Sequence, residues 1–329
     1  MTDEDARLAI PPLDAARIAR PLRGGRVFDF GGRTMGTTWS VRMVALDDSA
    51  IPELRSAVQA ALDAVVAQMS QWEPSSDLSQ FNRADAGTQH RLPQGFASVL
   101  TEAIAIADMT EGAFDPALGA ASEAWGFGAS APSALPETAL ALRARPSIDF
   151  DPETRVLLQP GGLQLDFSAI AKGFGVDEAA RVLGEADVTS CLVEVGGELR
   201  GTGLRPDLQP WWVAIEDPPG GLFLPLHIAL PDGAVATSAD YRRYHDLGEV
   251  RLGHTLDPRT GAPVRQGAES VSVIAPTAMR ADALATALMV MGAGAPLFAA
   301  HHGIAARIIL LEDNMLREYL SPALKAMLS

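Results

Sequence analysis

Apolar side chains recur at a helical interval over residues 52–69, where Leu54, Val58, Leu62, Val65 and Met69 fall three or four apart. A helix turns once in ~3.6 residues, so these positions share one face and predict a long amphipathic helix. Residues 95–110 repeat the pattern more weakly, and 173–183 also reads as helix. Elsewhere the apolar runs are short and punctuated by glycine and proline, which predicts strands at 27–30, 38–44, 190–195, 211–215, 224–230, 234–237, 271–274, 306–311 and 316–319. Residues 156–158 and 163–167 predict a hairpin around Pro160-Gly161-Gly162. Strands linked by such short turns pair antiparallel. The expected class is therefore α+β, with mixed and mostly antiparallel sheets packed against long helices. Residues 1–25, which carry Pro11, Pro12 and Pro21, read as a poorly ordered lead-in. Residues 130–146 read as a connector. A chain of 329 residues exceeds the ~250–300 at which single cores stop growing, so residues 26–329 form one domain or two intimately joined lobes.

The net charge of −15, from 26 basic and 41 acidic residues, argues against nucleic acid or an anionic membrane surface as partner. An acidic chain that handles an anionic ligand needs a local offset such as a metal, a lysine or a helix N-terminus. The single cysteine, Cys191, cannot form an internal disulfide and reads as a small core residue. No uninterrupted stretch reaches the ~18 apolar residues of a membrane span, and the acidic start does not resemble a secretory signal. The expected compartment is the cytoplasm as the chain stands, or the periplasm where a leader precedes it.

The run Arg280-Ala-Asp-Ala-Leu-Ala-Thr-Ala287 places Asp282 and Thr286 four residues apart on one face of an otherwise apolar helix. A buried carboxylate must be paired, hydrogen-bonded or metal-bound. The pair is thus either half of a hard-cation site or, as the spacing alone favours, a capping carboxylate and a threonine bonded back to the preceding turn. Thr34-Met-Gly-Thr37 marks a strand entry where Gly36 permits close backbone approach. Trp72 lies in a polar stretch after the first long helix and suits either ring stacking or anchoring of a surface loop. Asp115 is held extended by Pro116. Asp166-Phe-Ser-Ala-Ile-Ala-Lys-Gly-Phe-Gly175 runs from a strand end into a helix start, where amides and Lys172 favour phosphate and bend carbonyls can serve as metal ligands. His254, in His254-Thr-Leu-Asp-Pro-Arg-Thr-Gly261, is either a surface histidine or a proton carrier, a role open to histidine near neutral pH.

In order along residues 27–320, these segments resemble the FAD:protein FMN transferase (ApbE) family. The resemblance is carried by Thr-Met-Gly-Thr, Met-Ser-x-Trp with Ser-x-Leu-Ser-x-Phe-Asn, Gly-Ala-Phe-Asp-Pro, Leu-Asp-Phe-Ser-Ala-Ile-Ala-Lys-Gly-Phe and Val-Gly-Gly-Glu. Thr-Ser-Ala-Asp-Tyr, His-Thr-Leu-Asp-Pro-Arg-Thr-Gly and Ala-Asp-Ala-Leu-Ala-Thr-Ala complete it. The resemblance implies a T-fold-related architecture and Mg²⁺-assisted transfer of FMN from FAD to a Thr or Ser hydroxyl of an acceptor protein, with release of AMP. It implies Ala169, Asp282 and Thr286 as metal ligands, and Met35, Trp72, Ala113, Phe114, Asp115, Asp166, Lys172 and Leu256 as FAD contacts. His254 is implied as the base for the acceptor hydroxyl. FAD hydrolysis to FMN and AMP, or FAD binding without catalysis, are the alternatives. Two positions depart from the family pattern: Ala239 stands where glycine is usual, and Glu194 brings a charge expected near the site.

Overall fold

A computed structural model describes residues 6–12, 14, 18–129, 147–239, 244–247, 250–265 and 267–329, with backbone alone for 244–247 and 250–252. The expected connector at 130–146, and Asp240 and Tyr241 of the 237–241 motif, lie outside the described residues.

Among the described residues, eight strands make one large sheet: β1 Arg26–Thr34, β2 Thr37–Ala45, β3 Cys191–Val195, β4 Glu198–Thr202, β5 Asp232–Ala239, β6 Ser270–Ala275, β7 Ala305–Glu312 and β8 Met315–Leu320. The spatial order of these strands is their chain order, and every neighbouring pair is antiparallel. Between β2 and β3 come α1 Ile51–Met69, α2 Asp77–Asn82, α3 Gln94–Met109, α4 Gly119–Ala124 and α5 Ala171–Glu185. Between β6 and β7 come α6 Ala278–Met291 and α7 Ala295–His301.

Strand alternation sorts side chains to the two faces of the sheet. Trp39, Val41 and Met43 of β2 and Val193 and Val195 of β3 pack on Leu54, Val58 and Leu62 of α1 and Val176, Ala179 and Leu183 of α5. The five residues whose spacing predicted α1 are the five it buries. Further along the same face, Val271 and Val273 of β6 meet Leu284 and Leu288 of α6 over a cluster that includes Phe96, Leu100 and Phe167. Residues of the other parity, Val44, Leu192 and Val235, turn to a second layer with Trp211, Leu226 and Ile228. That layer contains a three-stranded sheet of Arg7–Ala9, Leu226–Ala229 and Trp212–Ile215.

Three expectations are corrected. The lead-in is ordered in part: Arg7–Ala9 pairs parallel with Leu226–Ala229, Ala9 is fully buried, and the Arg7 guanidinium grips Glu318 at 2.8 Å. Residues 163–167 are not a strand. Side-chain amides satisfy their backbone instead, with Gln159 bonding Leu163 N and O at 3.1 and 3.0 Å and Asn82 bonding Leu165 N and O at 2.8 Å each. Val156–Leu158 pairs with Gln89–Arg91 and with Phe150–Asp151. Finally, the helical run Ala278–His301 is long and apolar enough, by length and composition, to cross a membrane. It is interrupted by a 3-10 turn at Gly292–Gly294, and ten residues of α6 are buried within the fold, so its apolarity supplies the core.

Candidate active site

Helices α5 and α6 cross at their N-terminal ends, and each caps the other. Asp177 of α5 accepts from the Ala278 and Met279 amides of α6 at 3.0 and 2.9 Å, and Asp282 of α6 accepts from the Gly173 amide of α5 at 3.1 Å. The approach is close enough that a Cβ on Gly173 would lie 2.2 Å from the Ala278 carbonyl oxygen. Asp282 therefore caps a helix other than its own, whose N-cap is Thr277. The Thr286 hydroxyl is bonded to Ser238 of β5, at 3.3 Å. The start of α5 differs from the expectation of several available amides. The Ala171 amide goes to the Phe167 carbonyl at 2.8 Å and the Gly173 amide to Asp282, which leaves Lys172 as the principal positive element.

Lys172 lies between two buried carboxylates. It forms an ion pair with Glu198 Oε1, while Asp282 Oδ1 stands 3.9 Å from its Nζ. Glu198 opens β4 directly after the two-residue turn Gly196-Gly197, whose φ angles of +62° and +105° favour glycine. Burial pushes the Glu198 carboxyl up to about 7, aided by the charge of Asp282 and opposed by Lys172. Burial likewise raises Asp282 against the pull of Lys172 and the Gly173 amide. Glu198 Oε2 is buried and has no hydrogen-bond partner among the described residues.

These groups face a cleft of about 200 Å³ that gathers residues from distant parts of the chain. Of the expected site residues it is lined by Ala113, Phe114, Asp115, Asp166, Ala169, Lys172, His254, Leu256, Asp282 and Thr286. Asp115 and Asp166 meet because the Asp166 amide donates to the Pro116 carbonyl at 2.8 Å, and each carboxylate closes its own turn, onto the Ala117 and Ser168 amides. Beneath the His254 turn, Trp125 packs on Leu256 and donates to the Gly261 carbonyl at 2.6 Å. Met35 and Trp72 lie in a second cleft of about 520 Å³, which shares Ser168 and Lys172 with the first. Met35 occupies the two-residue turn between β1 and β2 with φ +47°, an unusual conformation for a methionine and one often found at functional sites. Trp72 is half exposed, its indole donating to the Gly128 carbonyl at 3.1 Å, so it is not a buried loop anchor.

Sequence reasoning gave no role to Glu198 or Ser238. The signal for Glu198 was a glutamate at the first position of a strand whose next inward residue, Arg200, is also charged and paired, with Asp177. Of the two departures, Ala239 is buried and lines the first cleft. Glu194 is not at the site: it lies on the opposite face of the sheet, cross-strand from Ser40, whose hydroxyl it accepts at 3.3 Å.

Among the described residues, no three His, Cys, Asp or Glu side chains gather into a metal cluster. What stands beside the cleft is sparser: the Asp282 carboxylate, the Thr286 hydroxyl and Ala169. An oxygen-only set with few protein ligands suits Mg²⁺, which keeps water and substrate phosphates in its shell.

Two adjoining clefts that meet at a lysine, beside a carboxylate and a hydroxyl, form a site for an extended ligand with an anionic centre. The chain belongs to the ApbE family, whose sequence profile matches residues 35–308. It is 35% identical over 320 residues to the FAD:protein FMN transferase of Haemophilus influenzae, an alignment covering 91% of each chain. It is 36% identical over 306 residues to that of Vibrio cholerae, covering 91% of this chain and 92% of the relative. Among solved structures, apo Pseudomonas stutzeri flavinyl transferase ApbE superposes with a TM-score of 0.83 at 32% identity, over 92% of this chain and 97% of that one. The flavin transferase ApbE of Vibrio cholerae gives 0.79, also at 32% identity, over 92% and 99%.

Proposed function

We propose that this protein is a FAD:protein FMN transferase, which moves FMN from FAD to a Ser or Thr hydroxyl of an acceptor protein and releases AMP. The observation that carries the reading is the junction of the two clefts at Lys172. A dinucleotide has two flat ring systems joined by a diphosphate. A ligand spanning both clefts would set that anionic centre beside the one lysine the site contains. Trp72 and Met35 would hold one end of FAD. Ala113, Phe114, Asp115, Asp166 and Leu256 would hold the other, the carboxylates accepting hydrogen bonds.

In the reaction, the acceptor hydroxyl oxygen forms a bond to the phosphorus of the FMN half, and the bond from that phosphorus to the bridging oxygen breaks. The bridging oxygen leaves on AMP. His254 lines the first cleft and would take the hydroxyl proton, which a neutral imidazole can do near pH 7. Lys172 would face the phosphates and offset their charge. Asp282, Thr286 and Ala169 would hold Mg²⁺, which when bound neutralises the diphosphate and the departing AMP.

The test is intact mass spectrometry of an acceptor carrying a Ser/Thr target motif after incubation with this protein, FAD and Mg²⁺. An FMN adduct together with free AMP is the expected result. AMP and free FMN without an adduct would mean hydrolysis. Bound, unaltered FAD would mean a carrier.

A further inference from the structure

Among the described residues, the charges around Lys172 do not balance. One ammonium serves two carboxylates that are both nearly inaccessible to solvent. Its allegiance is unequal: it is in direct contact with Glu198 and 3.9 Å from Asp282. A buried ammonium goes to the nearest carboxylate that can desolvate with it, and a carboxylate already engaged by a lysine is a poor cation ligand. We propose that Glu198 is a positioning residue whose role is to hold Lys172 away from Asp282, which keeps that carboxylate available to a divalent cation until the diphosphate draws the lysine to itself. The inference rests on the reading of Asp282 as the cation's carboxylate.

The surroundings support the assignment. Glu198 is placed by β4 directly after the glycine turn and its side chain is only 4% exposed, which limits how far its carboxylate can follow the lysine. Asp282 is held equally firmly, because Oδ2 caps the Gly173 amide and only Oδ1 faces the lysine. Lys172, at the second position of α5, is the flexible member, with four methylenes and a side chain about a quarter exposed. Two fixed carboxylates and one movable cation make a selector between two states. In one the ammonium is on Glu198 and Asp282 is open. In the other the ammonium is on an incoming phosphate and both carboxylates are open. Loss of Glu198 would add a third state, with Lys172 on Asp282, in competition with the metal.

The experiment uses the full chain and reads binding rather than turnover. Mn²⁺ affinity is measured without flavin by electron paramagnetic resonance, and FAD affinity is measured in EDTA from quenching of flavin fluorescence. Glu198→Gln, which keeps shape and removes charge, is expected to weaken Mn²⁺ about ten-fold and to strengthen FAD in EDTA, since the nearer of the two carboxylates that compete with the diphosphate for Lys172 is gone. Shifts of opposite sign are not the signature of a damaged fold. Glu198→Asp should recover part of the Mn²⁺ affinity. The double variant Glu198→Gln with Lys172→Met should bind Mn²⁺ at least as well as wild type, because the competitor is gone. A double variant as weak as Glu198→Gln alone, or loss of both affinities in Glu198→Gln, would overturn the proposal. Asp282→Asn separates the two levels of the argument. Mn²⁺ binding unchanged in that variant removes the reading of the cation site itself. Binding lost there but unchanged in Glu198→Gln removes only the role given to Glu198.

Discussion

Glu198 sits in a strongly perturbed environment, and its consequence for stability has a definite sign. Its folded carboxyl is pushed up to about 7 by burial, from an ordinary 4.5. At pH below 4.5 both folded and unfolded chains hold the proton and no penalty exists. Between 4.5 and 7 the unfolded chain releases a proton that the folded chain retains, so folding stability falls as pH rises, and above 7 the loss levels off. The shift corresponds to a penalty of about 3–4 kcal/mol. Denaturant unfolding in EDTA at pH 5 and pH 7.5 is expected to show wild type losing more stability over this interval than Glu198→Gln. Asp282, raised by the same cause, gains more of the pull of Lys172 in Glu198→Gln, which lowers it and widens the difference in the same direction. Identical losses would show that Glu198 titrates as an ordinary surface carboxylate.

At the level of elements, the reciprocal caps between α5 and α6 join stability to the site, because one of the two capping carboxylates is Asp282. Gly173→Ala would drive a methyl group into the Ala278 carbonyl and force the helices apart. The expected loss is about 1–3 kcal/mol by overpacking, read as a lowered unfolding midpoint. Asp177→Ala, which leaves two α6 amides without their cap, should cost about 1–2 kcal/mol. A Gly173→Ala protein as stable as wild type would mean that the two helices are not locked at this crossing. The helices were legible from the chain because burial follows their period: Leu54, Val58, Leu62, Val65 and Met69 declare α1 without further context. Seven of the eight strands of the large sheet were legible as short apolar runs bounded by turn residues, and β4 was not, because its inward positions are the charged Glu198 and Arg200. Residues 163–167 misled because an apolar run was stabilised by the distant side chains of Gln159 and Asn82, and periodicity carries no trace of such partners. Likewise Asp282 looked like a cap for its own helix, whereas it caps a neighbour 109 positions away in the chain.

At the scale of the whole molecule, the sheet brings the site together by being sequential: the β1–β2 and β3–β4 turns and the end of β5 each send a residue to the two clefts. The sequence motifs named the residues but could not show that they divide between two cavities, nor that Glu194 faces away from both. That division makes a prediction. Trp72 and His254 lie in different clefts, so their losses should separate kinetically. Trp72→Ala removes a half-exposed ring from one end of the FAD site, and it should weaken FAD about ten-fold, as expected for one lost stacking contact. It should leave kcat at saturating FAD and the unfolding midpoint nearly unchanged. His254→Ala touches the cleft where the acceptor hydroxyl must arrive, and it should lower kcat by a factor of ~10²–10⁴ while FAD binds as before. Single-turnover flavin transfer, with FAD affinity measured separately, reads both quantities. A His254→Ala protein that loses FAD affinity and keeps kcat would assign the histidine to substrate binding, and the base for the acceptor hydroxyl would then have to be sought among the carboxylates of the same cleft, Asp115 and Asp166.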